Sequence, residues 1–176
     1  MPLFGKPKKT ELEAAVEFVQ DVCLQAQAQW PAICASFEPL ESQFASYRDD
    51  KIAAYEFMIA AISVQLQAVS NLLPPDQGSR IRAHVLECLI NDDVGDYARM
   101  AIAAYDAEWD KSMAQEEVPS NGVACLLYDK IGLSNSVTVD GDAFKNPFLI
   151  MTLGMVIVQF GGAWWKNYIE RNRIVA

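Results

Sequence analysis

A chain of 176 residues with 52% hydrophobic and 21% charged side chains carries enough apolar material for one substantial core. Its net charge of −9 and isoelectric point near 4.5 repel phosphate backbones, and Lys and Arg occur singly or in pairs, which disfavours nucleic acid as a partner. Cys23, Cys34, Cys88 and Cys125 lie far apart with no CxxC pair and no histidines to complete a zinc site, so they read as buried, reduced thiols of a cytoplasmic protein, with no metal or cofactor expected.

The opening MPLFGKPKKT lacks an apolar h-region and reads as a flexible tail over 1–9, leaving 10–176 as a single helical domain. Thr10 starts the first helix: in T-E-L-E its hydroxyl can accept from the amide of Glu13, while Glu13 reaches back to the Thr10 amide. Leu12, Val16, Val19, Cys23, Ala26 and Trp30 then recur at steps of four and three and predict the buried stripe, with Pro31 as the interruption. Pro31 to Ser46 reads as a broken connector, since Pro39 cannot sit inside a long helix without removing a hydrogen bond.

Lys51 to Leu73 shows the cleanest periodicity: Ile52, Tyr55, Ile59, Ile62, Leu66, Val69 and Leu73 share one face, and much of the rest is apolar too. A helix this poor in charge belongs in the middle of a bundle, with Pro74, Pro75 and Gly78 as the turn that ends it. A shorter helix over Ser79–Asn91 is expected to turn Ile81, Val85, Cys88 and Leu89 inward. The next, about Val94–Met113, carries Ala98, Ala101, Ala103, Ala104 and Ala107 for a close crossing. Pro119 and S-N-G at 120–122 read as a break before a helix over Val123–Ile131, where Gly132 suits the left-handed position after the last turn. Ser134 to Ala143 favours extended structure and a turn at Asp140-Gly141. Asn146 and Pro147 cap the last helix, whose run Pro147 to Trp165 holds no charge and is long enough for a bilayer. The fold expected is an all-α, single-domain bundle of about six or seven helices, with two long apolar central helices at about 51–73 and 147–170 in contact.

Site chemistry is sparse. His84, the one histidine, shares a helix face with Arg80, Glu87 and Cys88, but a regular helix offers a Cys-His pair no exposed elbow. The order His84-x-x-Glu87 reverses the Glu-x-x-His of di-iron bundles, and the residues after D-G-D at 140–142 break a calcium loop. Glu56 stands alone on an apolar helix and needs a partner, for which Arg48, Arg80, Arg82 and Arg99 are the candidates. No catalytic residue is assigned.

Three functional expectations follow. The first is a cytoplasmic helical interaction module (adaptor, immunity-type inhibitor or regulatory subunit) that meets another, basic protein through Asp92, Asp93, Asp96, Asp106, Glu108 and Asp110, with Glu116 and Glu117 adding charge. The second is a small-ligand binder or enzyme using Tyr55, Glu56, His84 and Glu87. The third is membrane association through 147–165, with Trp164, Trp165 and Lys166 at the interface and Arg171 and Arg173 beyond.

Overall fold

Thr10 does cap the first helix: its Oγ1 accepts from the Glu13 amide at 3.1 Å and its own amide donates to Glu13 Oε2 at 2.7 Å. In the computed structural model, which describes residues 6–90, 95–133, 138–139, 142–143, 145–160 and 164–176, the chain is an all-α bundle. Its helices are α1 (Glu11–Phe37), α2 (Phe44–Tyr47), α3 (Lys51–Leu72), α4 (Pro75–Ile90), α5 (Gly95–Ala114), α6 (Pro119–Lys130), α7 (Pro147–Gln159) and α8 (Trp164–Arg171). Short strands accompany them: β1 (Lys8–Thr10), β2 (Thr138–Val139), β3 (Asp142–Ala143) and β4 (Arg173–Val175).

Helix α3 is the axis. Asp50 caps it by accepting from the amides of Ile52 and Ala53, and every residue from Glu56 to Leu66 is buried. The predicted stripe holds from Ile59 to Val69, whereas Ile52 at its start is 75% exposed. Helices α1, α4, α5, α6, α7 and α8 all touch α3, so no side of its middle meets water.

Helix α1 departs from expectation twice. It runs straight through Pro31 to Phe37, because Trp30, Cys34 and Phe37 are all buried and their packing outweighs the one hydrogen bond the proline removes. Its inner face is also rotated from the predicted stripe: Ala14, Ala15, Phe18 and Val22 face the core with Val19, Ala26 and Trp30, while Leu12 is half-exposed. The rotation follows from Glu11, buried and held by the Arg80 fork of α4 through two bonds of 2.8 Å.

Prolines begin helices here more often than they break turns. Pro75 opens α4, and Pro119 opens α6 at its first turn, so Ser120 to Gly122 are helical. Gly122 lies at the crossing with α5, where a Cβ would sit 2.3 Å from Ser112 Oγ and 3.0 Å from the Glu108 carbonyl oxygen. The close approach therefore depends on a glycine of α6, and of the five alanines expected at this crossing only Ala98 and Ala101 are fully buried. Gly132 ends α6 with φ of +84° and Leu133 buried behind it, as the sequence pattern requires.

Asn146 caps α7 by accepting from the amides of Phe148 and Leu149, with Pro147 in the first turn. The second apolar segment is helical over α7 and again over α8, with Phe160 leaving helical dihedrals after Gln159. It packs on α3 as expected: the Phe160 ring lies edge-on to Phe57 at 4.9 Å, and Gln65 Nε2 reaches the Phe160 carbonyl at 3.5 Å. Gly154 admits the turn at Ser120 and Asn121 of α6; a Cβ would stand 3.0 Å from the Ser120 carbonyl oxygen.

Within the extended stretch near 134–143, β2 and β3 pair antiparallel, Thr138 with Ala143 and Val139 with Asp142; the expected turn at 140–141 lies outside the described residues. Lys8 and Lys9, assigned to the tail by sequence, form β1, which pairs in parallel with β4 through Lys8–Arg173, Lys9–Ile174 and Thr10–Val175. Lys6 Nζ donates to the Ile169 carbonyl and Lys9 pairs with Glu17, which fastens this clasp to α8 and α1.

Two consequences are measurable. Gly154→Val places branched carbons against the α6 backbone and lowers unfolding free energy by about 3 kcal/mol, read from the urea midpoint at unchanged slope. The Arg80 hydrogen bonds hold the Glu11 carboxyl below the ordinary carboxylate range, against burial, which acts the other way. A depressed folded-state pKa contributes stability above the unfolded value of 4.5 and loses it as pH falls through the folded value. Glu11→Gln accordingly gives a stability–pH curve flatter than wild type below pH 4.5, measured by thermal melts across the acid range.

Candidate functional site

Glu56 does find a partner, though none of the four arginines the sequence suggested. Tyr105 of α5 donates its hydroxyl to Glu56 Oε2 at 3.2 Å, and Lys130, at the last position of α6, brings Nζ to 3.7 Å from the same oxygen. Three of the four arginines are engaged elsewhere, Arg48 with Glu38, Arg80 with Glu11 and Arg82 with Asp106. The Lys130 ammonium also lies 4.9 Å over the Tyr97 ring and 5.7 Å from that of Tyr105, and it donates to Tyr97 Oη at 3.0 Å. Burial, reinforced by the charge of Glu56 and its hydrogen bond, pushes the Tyr105 phenol above the ordinary tyrosine range, so it stays protonated and donating. A carboxylate, an amine and two phenols from three helices thus form one connected group.

Tyr55 neighbours this group through its ring, 6.5 Å from that of Tyr97, but its other side lines a cavity of about 590 Å³. Trp30, Arg48, Asp50, Lys51 and Met58 share the lining, which lies at the start of α3 beside α1; Glu56 is not among its walls. Asp50 is committed to capping, and Trp30 Nε1 donates to the Tyr47 carbonyl at 2.7 Å.

His84 and Glu87 sit elsewhere, on α4. Their contact is 3.1 Å, between Nδ1 and Oε2, with Glu87 exposed. Nothing described links this pair to Glu56, so the structure separates the four residues into a buried cluster, a cavity wall and a surface pair. Cys88 is half-buried and burial raises its thiol, which keeps it protonated beside the imidazole.

Of the acidic residues expected on the surface, Asp96 and Asp110 are exposed and Glu108 is half-buried in contact with Lys111. Asp92 and Asp93 lie outside the described residues. Asp106 corrects the expectation of a continuous face: it turns inward, accepts from Ser63 Oγ at 2.8 Å and Gln67 Nε2 at 3.0 Å, and pairs with Arg82. It joins α3, α4 and α5 and presents little charge to a partner.

The structure shows a surface that periodicity concealed. Leu149, Leu153, Gly154 and Ile157 bury one side of α7, while Phe148 (70% exposed), Met151, Met155 and Val158 line the other at steps of three, four and three. A run apolar on all sides carries no sign of which side faces inward. The stretches Lys51–Leu72 and Pro147–Arg171 are each long and apolar enough to cross a membrane, and the second is much the less buried in protein. Trp164 and Trp165, expected at a lipid interface, instead pack on Phe18 of α1 at 5.1 and 4.8 Å, with Trp164 Nε1 donating to Asp21.

No family model matches the chain, and no curated protein or solved structure proves similar to it.

The Glu56 cluster makes a direct prediction. Lys130→Met leaves a buried carboxylate without its cation and costs about 3 kcal/mol, whereas Glu56→Leu with Lys130→Met removes both charges and recovers most of that loss. Chemical denaturation of the two single variants and the double variant closes the cycle.

Proposed function

We propose that this protein is a helical protein-interaction module, and that its partner seats on the outer face of α7. The observation behind this reading is the row Phe148, Met151, Met155 and Val158, an apolar stripe that the bundle itself leaves open on a helix anchored firmly from behind at Gly154. Such a row suits an apolar groove of another protein, with methionines adapting to its shape. The net charge of −9 favours a partner with a basic rim and speeds the encounter at low salt.

A second reading has its own observation, the cavity beside Trp30 and Tyr55, whose size suits a small molecule. A ligand there would touch Tyr55 and leave Glu56 and His84 aside. Its stabilisation in a thermal shift would vanish in Tyr55→Ala and survive Glu56→Gln.

The interaction reading is checked by a photo-crosslinking residue placed at position 151 or at 110 in cells. Adducts to a defined protein are expected from 151, reduced about tenfold when Phe148→Asp and Met155→Asp are combined, a change that removes two buried anchors from the contact. Adducts from 110 alone, or unchanged adducts in the double variant, would exclude α7 as the contact. Flotation of the wild-type chain with anionic phospholipid vesicles, lost in the same double variant, would replace the protein partner by a bilayer surface.

A further inference from the structure

Cys125 lies on α6 one turn before Asp129, so the thiol and the carboxylate share a face of that helix. Lys145, two residues before α7, reaches across to both: its Nζ is 3.2 Å from Cys125 Sγ and 2.5 Å from Asp129 Oδ2. All three side chains are open to small solutes, the lysine and aspartate being 30% and 40% exposed and Cys125 half-buried. The other cysteines differ in setting. Cys34 is fully buried and its thiol pushed up to about 12 by that burial, Cys88 is raised for the same reason, and Cys23 packs its sulfur on Met58 Sδ at 3.2 Å.

We propose that Cys125 and Lys145 form an oxidative modification site, in which hydrogen peroxide drives a covalent sulfur–nitrogen crosslink between α6 and the start of α7. The contact already places the two atoms at van der Waals distance, with Asp129 holding the amine over the sulfur. In the first step Cys125 Sγ takes one oxygen from peroxide and becomes a sulfenic acid, with release of one water. In the second, Lys145 sheds its ammonium proton to solvent and its lone pair attacks Sγ. The S–O bond breaks, and hydroxide leaves as water with a proton from the attacking nitrogen. One peroxide is consumed, two waters are formed, and the thiol–amine pair is oxidised by two electrons. A thiol reductant reverses the bond by attacking sulfur and returning the amine. Burial lowers the Lys145 pKa, but the contacts with Asp129 and Cys125 outweigh it and raise the group above the usual lysine range, so the second step quickens as pH rises.

This inference stands apart from the interaction reading, since it concerns the inner attachment of α7 and no partner. Its test treats the purified full chain with hydrogen peroxide at neutral and alkaline pH, then digests it for mass spectrometry. Expected is a linked pair of peptides carrying Cys125 and Lys145, lighter by about 2 Da than their sum and separated by dithiothreitol. The yield should rise with pH and fall at least tenfold in Cys125→Ser and in Lys145→Arg. The arginine keeps the charge opposite Asp129, and both variants are confirmed folded by circular dichroism. The crosslink closes the chain between positions 125 and 145, so the oxidised wild type should melt about 5 °C higher than the reduced form. Peroxide that carries Cys125 to sulfinic acid without linked peptides, a yield indifferent to pH, or equal linkage in Lys145→Arg would overturn the proposal.

Discussion

Enclosure of α3 on every side is the constraint from which the rest of the fold follows. Once the residues from Glu56 to Leu66 are withdrawn from water, each polar group among them must be met by a neighbour, because an unmet one costs a large part of the net stability of a domain this size. Ser63 is answered by Asp106, Glu56 by Tyr105 and Lys130, and Gln65 Nε2 by the Phe160 carbonyl, while Gln65 Oε1 is left without a hydrogen-bond partner among the described residues. These bonds come from α5, α6 and the end of α7, so they fix how those helices rotate around the axis. Apolar packing alone would tolerate several rotations; the polar contacts select one.

Local devices were legible in the sequence, and pairings over distance were not. The capping box at Thr10, the Asn146-Pro147 start of α7 and the left-handed Gly132 are short-range geometry, readable from a few adjacent residues. The apolar centre of α3 was readable because its hydrophobicity persists on all faces. The partner of Glu56 is not legible in this way, because a half-buried lysine at a helix end, Lys130, looks in sequence like any solvated terminal charge. The exposure of Leu12 has a related cause: the periodic stripe of aliphatic residues carries no sign of Glu11, whose bond to Arg80 turns the helix.

The same limit explains why the acidic surface changed meaning. Counted along the chain, Asp106, Glu108 and Asp110 form a charged series, and Asp106 and Asp110 stand one turn apart on the same side of α5, but only the turn at Asp106 meets Ser63, Gln67 and Arg82, while Asp110 is left in water. Conversely, α7 looked like either lipid-facing or wholly internal sequence, and it is divided lengthwise between a buried and an open side. Its inner side is fixed at the backbone level by Gly154 lying on α6, so the outer row is held rigidly, which lowers the ordering entropy lost when a surface of this kind is covered.

The pairing of β1 with β4 has a bearing on how the molecule comes to be made. Residues 8–10 have their strand partner at 173–175, so during synthesis β1 must wait until residue 175 has left the ribosome. Pairs such as α5 with α6 join neighbours in the chain, while this pairing links Lys8 to Arg173 across nearly all the described residues. The clasp therefore cannot close before β4 exists, and Lys8 and Lys9 place charge on the strand that waits for it.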